Sequence, residues 1–316
     1  MGAKALIAST LRAAGRAPDI SGTAAVRVDL GIPALGPGAA QAGVSSPLAA
    51  LAAIAGDHRV KLWASADGLR VAELLPEAER ALFASEKSVW LWDSRSYTAY
   101  RLPAPHHRHP PASLLRALDP RRAATCLLKA IPPGTTVSVQ RNETVAGRRV
   151  YALTLKPKTN RTLVGRIEIY IDSQTRIPLG AAVYGRGDKE ASVSAEFTSV
   201  SFGRIPSSTF AFSPPAGATI KTLHGPSRDR PEDEQRSHPR PQGSGFRLAG
   251  HGWTTVAAVR VPAEAAARLR SSAAGRLLPF TGPLFSARLV AKGAHVWLLA
   301  GAVPQSALKP DAARLP

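Results

Sequence analysis

Apolar and polar positions alternate along most of this chain. Between Leu163 and Asp172, Ile167, Ile169 and Ile171 fall on one side of an extended strand, with Arg166, Glu168 and Tyr170 on the other. That is the two-residue period of a half-buried strand. Strands of the same kind are expected before it, with Tyr151, Leu153 and Leu155 on one face, and after it at 177–184 and 191–202. The connections at 172–176 and 185–189 carry the Asp, Ser and Gly that tight turns require, so neighbouring strands from about Thr136 to Ile220 should pair antiparallel. A second run of short strands is expected at 58–65, 69–75, 79–84, 88–93 and 97–102, after an extended stretch at 18–30. Such sheets have one greasy face that something must cover.

Helical periodicity is confined to a few places. Leu6, Ile7, Leu11 and Ala14 make an amphipathic helix over 3–15, and two further helices are expected at 111–118 and 120–131, where Ala124, Leu127, Leu128 and Ile131 form one stripe. Residues 31–56 read as an insert of Gly, Pro, Ala and Ser around an apolar patch at 47–54. Helices inserted into a meander are natural cover for one face of a curved sheet, which makes the fold class α+β.

Composition narrows the function. The chain has 316 residues, and 41 Lys and Arg against 22 Asp and Glu give a formal charge of +19, a balance suited to an anionic membrane, cell wall or nucleic acid. Arg, Ala, Pro and Gly rise together, as codon bias in a GC-rich bacterial genome also produces, and no window is densely basic and aromatic, so nucleic acid is not an expected partner. The single Cys126 excludes an internal disulfide and sits in an apolar helical pattern. No apolar run reaches membrane-spanning length, and Arg12 and Arg16 interrupt the N-terminal segment before a secretory signal can form, so a leader is expected to be missing from the start.

The segments Gly56–Trp63, Val89–Asp93, Val145–Leu155, Gly165–Asp172, Ile177–Leu179, Phe197–Gly203 and Phe210–Ala218 together resemble the outer-membrane lipoprotein carrier superfamily, which includes LolA, LolB, RseB/MucB, LprG and LppX. Within it the resemblance is to LolA-like proteins of high-GC Gram-positive bacteria, over about Lys4 to Ile220. It implies an incomplete β-barrel around a helical lid, an apolar cavity for acyl chains, and an extracytoplasmic location as a secreted or membrane-anchored lipoprotein. Its ligand would be a lipid or a lipoprotein acyl chain; a membrane-anchored regulator or transporter and an anionic envelope surface are further partners.

Candidate cavity residues on the inward parity are Val60, Leu62, Val89, Leu91, Leu153, Leu155, Ile167, Ile169, Leu179, Val183 and Phe197, with Leu115, Leu127 and Leu128 from the lid. The competing reading of each is simple packing against its neighbours, and parity alone does not say which face is concave.

Residues 1–221 are expected to form the half-barrel and 222–249 a Pro-rich, charged linker. A small α/β module at 250–316, with strands near 252–261, 284–290 and 295–300 and a helix at 263–271, should dock on the sheet or extend it. It resembles the C-terminal part of the same LolA-like proteins and the two-domain layout of RseB. Enzyme chemistry finds little support. His106, His107 and His109 lack a carboxylate or cysteine framework for a metal, and no nucleophile elbow, phosphate loop or dinucleotide fingerprint occurs, so neither metal nor cofactor is expected. The two readings carried forward are an acyl-chain carrier and an RseB-like sensor acting on a sigma factor through an anti-sigma partner.

Overall fold

The computed structural model describes residues 2–14, 18–32, 55–86, 88–102, 128–223, 245–271, 273–292 and 295–308. Its first helix, α1 (Ala3–Ala14), buries Leu6 completely, as the spacing of its apolar residues requires. The chain then makes β1 (Ile20–Val28), β2 (Gly56–Ala64), β3 (Gly68–Leu75), β4 (Ala78–Ser85), β5 (Val89–Asp93) and β6 (Thr98–Leu102). A second run comprises β7 (Thr135–Val145), β8 (Arg148–Pro157), β9 (Val164–Asp172), β10 (Pro178–Gly185), β11 (Val193–Phe202) and β12 (Thr219–Thr222).

These twelve strands form one curved, unclosed sheet in the order β12-β6-β5-β4-β3-β2-β1-β11-β10-β9-β8-β7. Strands β1–β6 and β7–β11 are each a meander of consecutive antiparallel neighbours, and β1 joins the two by pairing with β2 on one side and β11 on the other. The hairpin between β7 and β8 turns on Ala146 and Gly147, whose φ values of 51° and 73° are those of a two-residue turn with both central residues left-handed. Antiparallel pairing holds throughout the sheet except at β12, which runs parallel to β6 and so corrects the all-antiparallel expectation. The reason is the route of the chain. After β11 it crosses behind the first meander, burying Phe210 and stacking Phe212 on Phe83 with ring centroids 4.6 Å apart, and reaches β6 running in the same direction.

The C-terminal segment builds its own five-stranded sheet, β13 (Phe246–Ala249), β14 (Val256–Val261), β15 (Phe280–Thr281), β16 (Ser286–Lys292) and β17 (His295–Gly301), in the order β13-β14-β17-β16-β15. Helices α2 (Ala263–Ser271) and α3 (Ala273–Arg276) lie between β14 and β15. The expected helix at 263–271 and the hairpin near 284–300 are present, whereas 252–254 is a short 3-10 turn and β13 falls inside the range read as linker. Val256, Ala258, Trp297, Leu299, Val303 and Leu308 form the core of this module. It abuts the large sheet and, among the described residues, pairs with none of its strands. Leu163 N and Thr162 Oγ1 donate to Ala302 O at 2.8 and 2.7 Å, and Trp253 Nε1 donates to Thr135 Oγ1 at 2.9 Å.

Candidate functional site

The strand registers place one face of the large sheet in view as a set of rows. On the first meander a row runs Ile20, Ala64, Leu69, Ala84, Val89, Leu102, and the next runs Gly22, Leu62, Val71, Leu82, Leu91, Tyr100. On the second meander the same face carries Val139, Leu153, Ile169 and Ala181, beside Val137, Leu155, Ile167 and Val183. Phe197, opposite Ala24, connects the halves. Of the strand residues singled out by alternation, Val60, Leu62, Val89, Leu91, Leu153, Leu155, Ile167, Ile169, Val183 and Phe197 share one face across the sheet by register, whereas Leu179 falls in the irregularity between Pro178 and Gly180 and has no cross-strand partner. Side chains alternate along each regular stretch, so parity brings together the residues of those stretches, and it stops being enough at the register shifts near Ala24, Leu179 and Gln140.

Burial divides this face. Leu62, Val89, Leu179 and Phe197 belong to one core cluster; Leu153, Leu155, Ile167 and Ile169 belong to a second, together with Leu6 of α1, Leu128 and partly buried Val183. Trp253, Leu284 and Ala302 of the C-terminal module pack against that second cluster. Val60 is half-buried, and Leu91 keeps 38% of its surface exposed between Leu82 and Tyr100. Of the lid, Leu128 is described and 4% exposed; Leu115 and Leu127 lie outside the described residues, as do Cys126 and the histidines at 106, 107 and 109.

Val71, Leu82, Val137, Val139 and Ala181 share the face although the candidate set omitted them. The signal was present, since each sits two residues from a named or similarly apolar neighbour. Towards one end the same face becomes polar: His58 Nδ1 lies 2.6 Å from Glu73 Oε1, and Arg80 Nε donates to Asp93 Oδ2 at 3.1 Å. These pairs bridge adjacent strands, and Asp93 also accepts from the backbone N–H groups of Arg95 and Ser96 in the following turn.

The opposite face behaves differently in the two halves. Behind the first meander, Trp63, Phe83, Trp90 and Trp92 meet Phe212, and the Arg70 guanidinium lies 4.8 and 4.7 Å from the ring centroids of Trp63 and Phe83. Behind the second meander is a polar cluster. Glu168 Oε1 accepts from Arg166 Nε at 2.8 Å, and Oε2 accepts from Tyr170 and Tyr184 hydroxyls at 3.0 and 3.2 Å. Burial pushes the Glu168 carboxyl up, but Arg166 and the two hydroxyls more than reverse this and hold it below the usual range. Burial and then the hydrogen bonds with Tyr184 and Glu168 push the Tyr170 phenol far up.

Glu196 lies across β10 from Tyr170, at the level of Gly180, and among the described residues its carboxyl group makes no hydrogen bond or ion pair. Burial first, and the charge of Glu168 second, push its carboxyl above the ordinary value. The folded protein therefore keeps this proton to higher pH than the unfolded chain, whose glutamates titrate near about 4.3, and stability falls as pH rises through that window. Glu196→Gln is expected to raise the melting temperature at pH 7 and to lose that advantage near pH 4, where the native side chain is also neutral. Melting curves at the two pH values check this, and an equal difference at both would refute the assignment.

No group of His, Cys, Asp and Glu among the described residues could hold a metal ion, and no described helix is long and apolar enough to cross a membrane. What the geometry offers is apolar surface.

No known family's sequence profile matches the chain, and no curated protein does. Among solved structures, MucB aligns over 98% of this chain and 96% of its own at 13% identity, with a TM-score of 0.47. The complex of Pseudomonas aeruginosa MucA and MucB gives the same identity and coverage with a TM-score of 0.46. A LolA-superfamily protein from Nitrosomonas europaea aligns over 67% of this chain and 98% of its own, at 12% identity and a TM-score of 0.27. These are likenesses to individual solved structures at low identity. At these identities and scores they carry no argument, and the LolA/RseB-like resemblance with its high-GC Gram-positive type remains an expectation of the sequence.

Proposed function

We propose that this protein is an extracytoplasmic carrier that holds the acyl chain of a lipid or lipoprotein against the apolar face of its unclosed sheet. The observation behind the reading is that face itself. It continues across both meanders, and at Leu91 it is still 38% exposed, between apolar neighbours on both sides. A long acyl chain laid there gains about 0.8 kcal/mol for each methylene removed from water, enough for tight binding without a directional polar contact. The candidate residues are the contacts, and those of the buried clusters form the floor. The proposed division of labour follows the expected boundaries: 1–221 holds the guest, 222–249 connects, and 250–316 docks on the rim. The basic surface suits work beside an anionic envelope.

Native mass spectrometry of the purified protein tests the proposal. An additional mass of lipid size, removed by organic delipidation, is expected, and the stripped protein should bind a fluorescent long-chain fatty acid saturably. A ligand-free protein that also ignores the fatty acid would overturn it.

The second reading is an RseB-like sensor that binds a membrane-anchored anti-sigma regulator. It is favoured by the two-sheet layout, in which Trp253 and Ala302 bring a separate module onto the large sheet. Deleting residues 250–316 should then abolish capture of the regulator's extracytoplasmic domain, while the fatty acid still binds.

A further inference from the structure

The large sheet ends in two very different edges. At one end β12 is four residues long and carries Lys221, the kind of short, charged edge that discourages pairing with another chain. At the other end is β7, eleven residues long, which among the described residues pairs with β8 and no other strand. Its first six residues, Thr135-Thr-Val-Ser-Val-Gln140, contain no charge and no proline, are rich in β-branched side chains, and keep regular register with β8 until the irregularity between Gln140 and Glu143. Alternate residues of an edge strand direct their N–H and C=O groups away from the sheet. Thr136, Ser138 and Gln140 are exposed, while Val137 and Val139 hold the strand down on the apolar side. The nearby Trp253 packs on the apolar cluster and donates its indole N–H to the Thr135 hydroxyl, a side-chain contact that leaves the Thr135 main chain out of the bond.

Charge sets the character of the occupant. Lys129, Arg141, Arg149, Lys156, Lys158 and Arg161 are exposed on β7, β8 and their flanks, and Glu143 is the only acid between Leu128 and Leu163. A second copy of this chain would bring the same positive surface against itself. An acidic strand would not.

We infer that the β7 edge is a docking site for an extended acidic segment of a partner protein, which adds to the sheet as a thirteenth strand through main-chain hydrogen bonds along Thr135–Gln140. This surface is separate from the acyl-chain reading and stands or falls without it.

The test uses the full chain and a short synthetic peptide alternating valine and glutamate. Two controls accompany it: the valine–lysine counterpart, and a valine–glutamate peptide N-methylated at alternate backbone amides. The acidic peptide is expected to bind, to slow amide hydrogen exchange at alternate residues of Thr135–Gln140, and to weaken about tenfold or more with the double variant Arg141→Glu, Lys156→Glu, whose side chains are exposed. N-methylation, which removes donors without changing charge, should abolish binding. Unchanged exchange in β7, equal binding of the lysine peptide, or full binding of the N-methylated one would overturn the inference. So would a concentration-dependent dimer in sedimentation that protects the same amides without peptide, since the edge would then belong to a second copy.

Discussion

Asp172→Ala should cost this protein about 3–5 kcal/mol of stability, at the low end of that range because one partner keeps contact with water. Asp172 is 1% exposed and stands where β9 ends. Its Oδ2 accepts from Arg148 Nε at 2.7 Å, and its Oδ1 accepts from Arg148 Nη2, Gln174 N, Thr175 N and the Thr175 hydroxyl at 3.3, 3.1, 2.6 and 2.8 Å. One carboxylate thus ties the β8 terminus to the β9–β10 turn. Alanine leaves the Arg148 charge, on a side chain only 29% exposed, without its partner and frees the turn at once. Urea titration measures the loss, and Asp172→Asn, which still accepts one set of bonds, should fall between the two. Burial pushes the Asp172 carboxyl up, but Arg148 and Thr175 together bring it below the ordinary value. Its contribution is therefore complete above about pH 3.9, where the unfolded aspartate ionises, and fades as pH drops through the lower folded value. The native protein should lose stability more steeply than Asp172→Ala in that acid range. Parallel curves would mean that the carboxylate contributes nothing through its charge.

The second large effect concerns the guest. Leu91→Glu should weaken binding of a fluorescent long-chain fatty acid by more than about tenfold, because a carboxylate set in an apolar face must either stay hydrated and displace the chain or lose its water beneath it. The fold should survive, since the side chain is 38% exposed and substitutions at such positions change stability by roughly 1 kcal/mol or less. Leu153→Glu, at a site with no exposure, should instead unfold the protein. Comparing the two by fluorescence titration and circular dichroism separates loss of site from loss of fold. Native-like affinity in a folded Leu91→Glu protein would place the guest elsewhere.

Both effects bear on what could be read from residues alone. Leu91 was accessible to sequence reasoning because a half-buried strand repeats every two residues, so Val89 and Leu91 declare their common side without reference to any other strand. Asp172 was not accessible as a clasp. In the sequence it is one more turn aspartate, and its partner Arg148 is 24 residues away at the start of another strand. Glu196 is similar: Glu168 and Tyr170 were visible as an outward pair, but only the register of β9, β10 and β11 puts Glu196 across Gly180 from them. The lid is a third case, with Leu128 packed on the sheet and Leu115 and Leu127 outside the described residues.

The amino-acid sequence by itself marked most strands of the two meanders, the apolar side of their regular stretches, and the first helix with its apolar stripe, because these depend on periods a few residues long. The tertiary structure alone decided that β1 bridges two meanders, that β12 returns parallel to β6, that the C-terminal module makes a sheet of its own, and that β7 is left as the long edge. Those outcomes depend on which distant segments meet, and local periodicity is the same whichever neighbour a strand finally takes.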